Sequence, residues 1–141
     1  MKAKDVIALV GKFTSSIRVV SERRVFADVE RERLLDVLQV LKDSGVQHLS
    51  TISGVDRGSH ISVLYHLDCR PCLLSLRVNL PAENPEVRTV SDILPGAELY
   101  ERDLMEMLGV RVTGHPDPRR FFLPDDWPEG QYPLRKEARA K

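Results

Sequence analysis

The sequence predicts a single α/β (α+β) domain: about five strands in a mixed or antiparallel sheet, packed by helices and followed by an extended, proline-rich C-terminal tail. Three observations predict it. The chain has 141 residues, 42% of them hydrophobic and 30% charged, which suits one domain with a real core. Several stretches alternate apolar and polar residues as strands do, and others space their apolar residues as helices do. Beyond Thr113 five prolines fall in the last 28 residues and no period persists. Residues 1–113 therefore form the α/β body, and residues 114–141 a tail that must lie on something to be ordered.

Taken in order, Lys4 to Lys12 makes a short amphipathic helix with Val6, Leu9 and Val10 on one side. IRVV and VFADV read as a hairpin around the polar SERR turn, with Val19, Val25, Ala27 and Val29 facing inward. RERLLDVLQVLKDSG is the clearest helix. Leu34, Val37, Leu38 and Leu41 stand at i, i+3, i+4 and i+7, and Gly45 is placed to close it. VQHLSTISGV, HISVLYHL and CLLSLRVNL follow as strands. In the second, Ile61, Val63, Tyr65 and Leu67 share one face, so His66 on the other is a surface or hydrogen-bonded histidine rather than a ligand. PAENPEV breaks the sheet, and TVSDILPG makes a helical turn stopped by Pro95. In AELYERDLMEMLG, an apolar stripe of Ala97, Tyr100, Leu104, Met107 and Leu108 faces the core and Gly109 caps the end. Glu98, Arg102 and Glu106 stand four apart on the opposite face, so Arg102 can pair with either glutamate.

Lys plus Arg balance Asp plus Glu at 21 each, which argues against a nucleic-acid module. No apolar run reaches transmembrane length, and the N-terminal one is too short for a secretory signal. The expected location is the cytoplasm. Cys69 and Cys72 form CRPC, a spacing that suits a redox pair or half a zinc site. A redox pair wants a strand before it and a helix after it, whereas LLSLRVNL continues as a strand. Tetrahedral zinc needs two further ligands, with His48, His60, His66 and His115 the candidates. The pair reads as a tight turn with two small, semi-buried thiols.

The stretch YERDLMEMLGVRVTGHPDPRR, Tyr100 to Arg120, holds four carboxylates, four arginines and a histidine. Catalysis there lacks partners. Asp103 and Glu106 are helical neighbours rather than carboxylates facing across a pocket, no histidine follows either by three, and no phosphate-binding glycine motif occurs anywhere. Arginine forks beside aromatic anchors suit an interface instead; the alternative is that Arg102 and Arg119 tie the tail to their own domain by ion pairs. The tail offers Phe121, Phe122, Trp127 and Tyr132 as anchors.

Glu101, Arg102, Asp103, Glu106, Gly109, His115, Pro116, Asp117, Arg119 and Arg120 closely resemble, in order and spacing, the signature of the C-subunit family of respiratory complex I, the NADH:quinone oxidoreductase. VLYHL at 63–67, LRVNLP at 76–81, PGA at 95–97, DDW at 125–127 and PLRK at 133–136 extend the match. Asp103, Leu108 and Leu99 stand where that family usually has Glu, Phe and often Trp. Such drift fits the homologous subunits of membrane-bound energy-converting hydrogenases, formate hydrogenlyase-type complexes and deazaflavin-linked dehydrogenases equally well.

The resemblance implies a mixed-sheet fold and a non-catalytic peripheral-arm subunit that docks on a hydrogenase-like large subunit beside an iron–sulfur subunit. It implies no catalytic, cofactor or metal residue in this chain; iron–sulfur clusters, and a flavin or nickel–iron centre, belong to the partners. It places the protein on the inner face of the cell membrane, touching the membrane only through the complex. The residues assigned to partner binding are Glu101, Arg102, Asp103, Glu106, His115, Pro116, Arg119, Arg120, Phe121, Trp127 and Arg135, with Glu101 and Asp103 orienting arginines. The rivals are a small cytoplasmic metal or redox protein using CRPC with His66 or His115, and a stand-alone binding module.

Overall fold

Alternation and helical spacing resolve into defined elements in the computed structural model, which describes residues 1–119, 123–124 and 126–136. The chain runs α1 (Ala3–Val10), β1 (Ser16–Ser21), β2 (Arg24–Asp28), α2 (Leu34–Asp43), β3 (His48–Asp56), β4 (His60–Cys69), β5 (Cys72–Pro81), β6 (Glu86–Arg88), α3 (Ala97–Leu108) and β7 (Arg111–Thr113). Five strands form one sheet in the order β1-β2-β5-β4-β3. The β2–β5 pair is parallel and the others antiparallel, so the sheet is mixed. A parallel pair needs a crossover, here made by α2, β3 and β4.

Register decides which side is core. Ile61, Val63, Tyr65 and Leu67 of β4 stand opposite Leu80, Val78, Leu76 and Leu74 of β5, and all eight are buried. The helices cover this face. α2 buries Leu34, Val37, Leu38 and Leu41, each stabilising by roughly 1.5–3 kcal/mol. α3 crosses β3 at Gly54, where a Cβ would lie 2.5 Å from Leu108 and 2.8 Å from Leu104. That missing side chain lets the helix approach closely. Among the described residues no helix covers the opposite face, which carries Arg18, Arg24, Phe26, Leu64 and Arg77.

Three expectations need correction. Val19 is half-exposed, because β1 is the sheet's edge and extends past the helical cover. The break after β5 contains β6, which pairs in parallel with β7 in a second small sheet; three-residue strands are too short to show an alternation. The inward stripe of α3 is Ala97, Glu101, Leu104 and Leu108, with Glu106 also buried, while Met107 lies only partly covered.

α3 ends at Gly109, whose φ of 70° is left-handed and whose N–H reaches the Met105 carbonyl at 3.2 Å. A Cβ there would run into the Tyr132 ring. Gly109→Ala is therefore expected to cost roughly 1–2 kcal/mol in backbone strain and to push Tyr132 off the helix end. Limited proteolysis should then cut the variant sooner between 126 and 136 than wild type. Equal cutting would show that the tail does not depend on this contact.

Candidate functional site

The charged stretch folds back on itself. Pro116 and Pro118 have no N–H to give, and the loop they stiffen is held by side chains. His115 Nε2 donates to the Glu98 carbonyl at 2.9 Å, and Nδ1 accepts the Asp117 N–H at 3.0 Å. Those partners call for a neutral ring protonated on Nε2, with neither nitrogen left for a metal.

Glu101 lies beneath this ring, its Oε1 4.0 Å from His115 Nε2, and both side chains are 1% exposed. Its oxygens accept from the Thr89 hydroxyl at 2.6 Å and the Val90 N–H at 2.9 Å. Burial raises its pKa, although the hydrogen bonds from Thr89 and the Val90 N–H oppose the shift. Wholly buried Tyr65 is also raised, by burial first and then by Glu101. Glu101 thus ties the 89–91 segment to α3, and among the described residues its hydrogen bonds come from Thr89 and Val90 rather than from an arginine. Thr89 and Ser91, joined at 2.9 Å, are members of this buried cluster that sequence reasoning missed. The spacing of Glu101 between Ala97 and Leu104 was the available signal.

Arg102 likewise departs from expectation. Its side chain is only 11% exposed, with Nη1 3.7 Å from Asp117 and Nε donating to the Arg119 carbonyl at 2.9 Å. The returning loop covers it, so a partner 15 residues along the chain replaces the expected i+4 pairing. Arg119 grips Asp117 with both arms of its fork, at 2.7 and 2.9 Å, yet remains 82% exposed. Its bonds, foremost, hold the Asp117 carboxyl well below the usual range, with Arg102 adding to the effect.

Glu106 is buried rather than solvated. It lines a recess of about 350 Å³ with Met105, Pro118, Trp127 and Tyr132. Asp103 is half-covered, its pKa raised by burial and then by Glu106. Trp127 donates its indole N–H to the Gln131 carbonyl at 2.9 Å. Pro116 is exposed. Arg120 and Phe121, also assigned to this surface, and Phe122 lie outside the described residues.

Arg135 is mostly internal, with 14% of its side chain exposed and Nε 3.6 Å from Asp56. Its Nη1 donates to the Leu108 carbonyl at 3.2 Å and Nη2 to the Ala82 carbonyl at 3.1 Å. Leu134 N–H reaches the Met107 carbonyl at 2.9 Å. PLRK therefore caps the last carbonyls of α3, where a cation is favoured, and little of Arg135 is left for a partner.

CRPC is the turn between β4 and β5, with Cys69 opposite Cys72. Both thiols are free and buried, more deeply than expected. Burial pushes Cys69 up to about 12 and raises Cys72 as well, the reverse of what a reactive thiolate needs. His66 bridges the Ser53 hydroxyl at 2.9 Å and the Ser75 hydroxyl at 2.7 Å across three strands. It is thus a hydrogen-bonded sheet histidine, lowered in pKa by burial and then by Arg24. Among the described residues no three His, Cys, Asp or Glu side chains group as metal ligands would, and no helix is long and apolar enough to cross a membrane.

Among the described residues the helix and loop present the Arg119 guanidinium, fixed on Asp117 and 82% exposed. Relatives match most of the chain. The C subunit of the F(420)H(2) dehydrogenase of Methanosarcina mazei is 34% identical over 97% of this chain and 92% of its own. The membrane-bound hydrogenase subunit beta of Pyrococcus furiosus is 36% identical over 83% of this chain and 71% of its own. A chain in the solved structure of the membrane-bound sulfane sulfur reductase, an archaeal respiratory membrane complex, superposes with a TM-score of 0.84 at 28% identity. That match covers 95% of this chain and 83% of the other. The model of the respiratory-chain NADH dehydrogenase 30 kDa subunit matches residues 27–141, and the chain belongs to that family.

Proposed function

We propose that this chain is a subunit of a complex I-like or membrane-bound-hydrogenase-type oxidoreductase complex, and that it works by docking rather than by catalysis. Relatives of similar length are named as subunits of such assemblies, which supports the first part. The observation that carries the second is Arg119. Asp117, Arg102 and His115 spend their bonding within the chain to fix the loop, and Arg119 remains 82% exposed at its end. With Nε and Nη2 fixed on Asp117, the exposed Nη1 side of the guanidinium loses little further freedom on pairing with a partner's carboxylate. Half-exposed Leu99, on the outer stripe of α3, supplies apolar area nearby.

The partner is a hydrogenase-like large subunit beside an iron–sulfur subunit, on the inner face of the membrane. The redox centres belong to those partners. Arg119→Glu is expected to reduce co-purification of the large subunit with tagged chain at least about tenfold, with the isolated variant still unfolding cooperatively. A normal yield of complex would sink the docking role. The hydrogenase-type alternative is favoured by the Pyrococcus furiosus relative. Stoichiometric nickel in the co-purified large subunit would select it; its absence from an intact, active complex would select a dehydrogenase.

A further inference from the structure

The helix-free face of the sheet is a feature the docking role does not use. Its register places Arg18 of β1 beside Phe26 of β2, with Leu64 and Arg77 paired across β4 and β5. Arg18, Phe26, Asp28, Arg57, Leu64 and Arg77 line a recess of about 330 Å³. The strand carboxylates of this face are already engaged. Asp28 receives the Arg77 fork at 2.6 and 2.9 Å and the Ser16 hydroxyl at 2.8 Å. Asp68 receives Arg70 at 2.7 Å. Among the described residues Arg18, Arg24 and Arg57 have no carboxylate within ion-pair distance. The chain is neutral overall, so this is a local surplus of positive charge.

That surplus is also ordered. The Arg18 and Arg24 guanidinium carbons stand 5.1 and 5.4 Å from the centre of the Phe26 ring, so both cations are held on one aromatic by cation–π attraction. Arginines fixed in this way recognise carboxylates with less ordering cost than free ones. Half-buried Leu64 and Leu73 and exposed Val20 and Val55 give the same face its apolar area. A single aromatic among aliphatic side chains is a poor stacking platform for nucleic-acid bases and suits a protein segment.

We infer that this face is a second docking surface, taking an acidic segment of another subunit whose Asp or Glu side chains enter the Arg18–Arg57 recess. The inference rests on the chain being a subunit of a larger complex, and it adds a contact separate from Arg119. The test uses the full tagged chain, expressed in its source cells with a photo-crosslinking benzophenone residue in place of Leu64, and isolated with its complex. The expected adduct maps to an Asp/Glu-rich segment of a partner subunit. The Arg18→Glu/Arg57→Glu double variant should reduce it at least about tenfold, and changing two of the identified carboxylates to Lys should restore it. Suppose instead that the complex is recovered while position 64 labels nothing, a second copy, the chain's own tail or nucleic acid. The inference is then overturned and the subunit assignment stands. Failure of the unsubstituted chain to bring down any other subunit would overturn both.

Discussion

Asp56→Ala is expected to destabilise the isolated chain by roughly 3–5 kcal/mol, the usual cost of removing one member of a buried ion pair. Asp56 accepts the Gly58 N–H at 2.8 Å and the Lys136 N–H at 2.9 Å, and it faces Arg135 at 3.6 Å with 5% of its side chain exposed. Truncation removes the carboxylate facing Arg135 and orphans the two backbone donors of Gly58 and Lys136. Arg135→Ala should cost less, about 1–3 kcal/mol, because Asp56 keeps its two N–H partners while the Leu108 and Ala82 carbonyls lose theirs. Urea unfolding of both variants gives the order. Asp56→Ala costing less than Arg135→Ala would refute the clamp as drawn. Burial raises the Asp56 pKa, but the Lys136 and Gly58 N–H groups and Arg135 outweigh it and leave a net lowering. The unfolded chain then binds the proton more readily. This stabilisation is present above the unfolded carboxylate value of about 3.9 and is lost as pH falls through the lower folded value. Asp56→Asn should flatten that acid limb.

The sheet was legible because its long strands repeat with period 2 over a face that has to be buried. The alternation of Ile61, Val63, Tyr65 and Leu67 placed them inward, and their burial agrees. Leu34, Val37, Leu38 and Leu41 did the same for α2, and Gly109 announced the end of α3. Strand order was not legible. Nothing local in Arg24–Asp28 says that it lies parallel to Cys72–Pro81. The site was legible as a cluster of residue types but not as a set of pairs. Arg102 and Glu106 stand one helical turn apart, and only the returning loop gives Arg102 the Asp117 carboxylate instead. Arg135 was assigned to partner binding, and its internal anchoring was hidden because two of its acceptors are backbone carbonyls, which no side-chain pattern reveals. Glu101 drew its expected role from the family resemblance, although it occupies a core position of its own helix.

That buried carboxylate carries the second large effect. Glu101→Ala is expected to cost roughly 2–4 kcal/mol, from the cavity and from the stranded Val90 N–H. Glu101→Gln should cost about 1 kcal/mol or less. Its oxygen can keep the Val90 N–H, and its amide can donate to Thr89 once that hydroxyl turns its proton toward Ser91, 2.9 Å away. Their pH dependence separates charge from shape. The Glu101 pKa is raised in the fold, chiefly by burial, so between the unfolded value of about 4.3 and the higher folded one the native state binds more protons. Wild-type stability should fall as pH rises through that window, relative to Glu101→Gln, which has no proton to lose. Unfolding curves collected from about pH 4 to about pH 8 check the sign, and parallel curves would mean that Glu101 does not titrate abnormally. Because His115 rests on this carboxylate and fixes the loop that presents Arg119, Glu101→Ala should also weaken co-purification of the large subunit, while Glu101→Gln keeps it. A structural residue with no link to docking would change stability and leave the complex yield untouched.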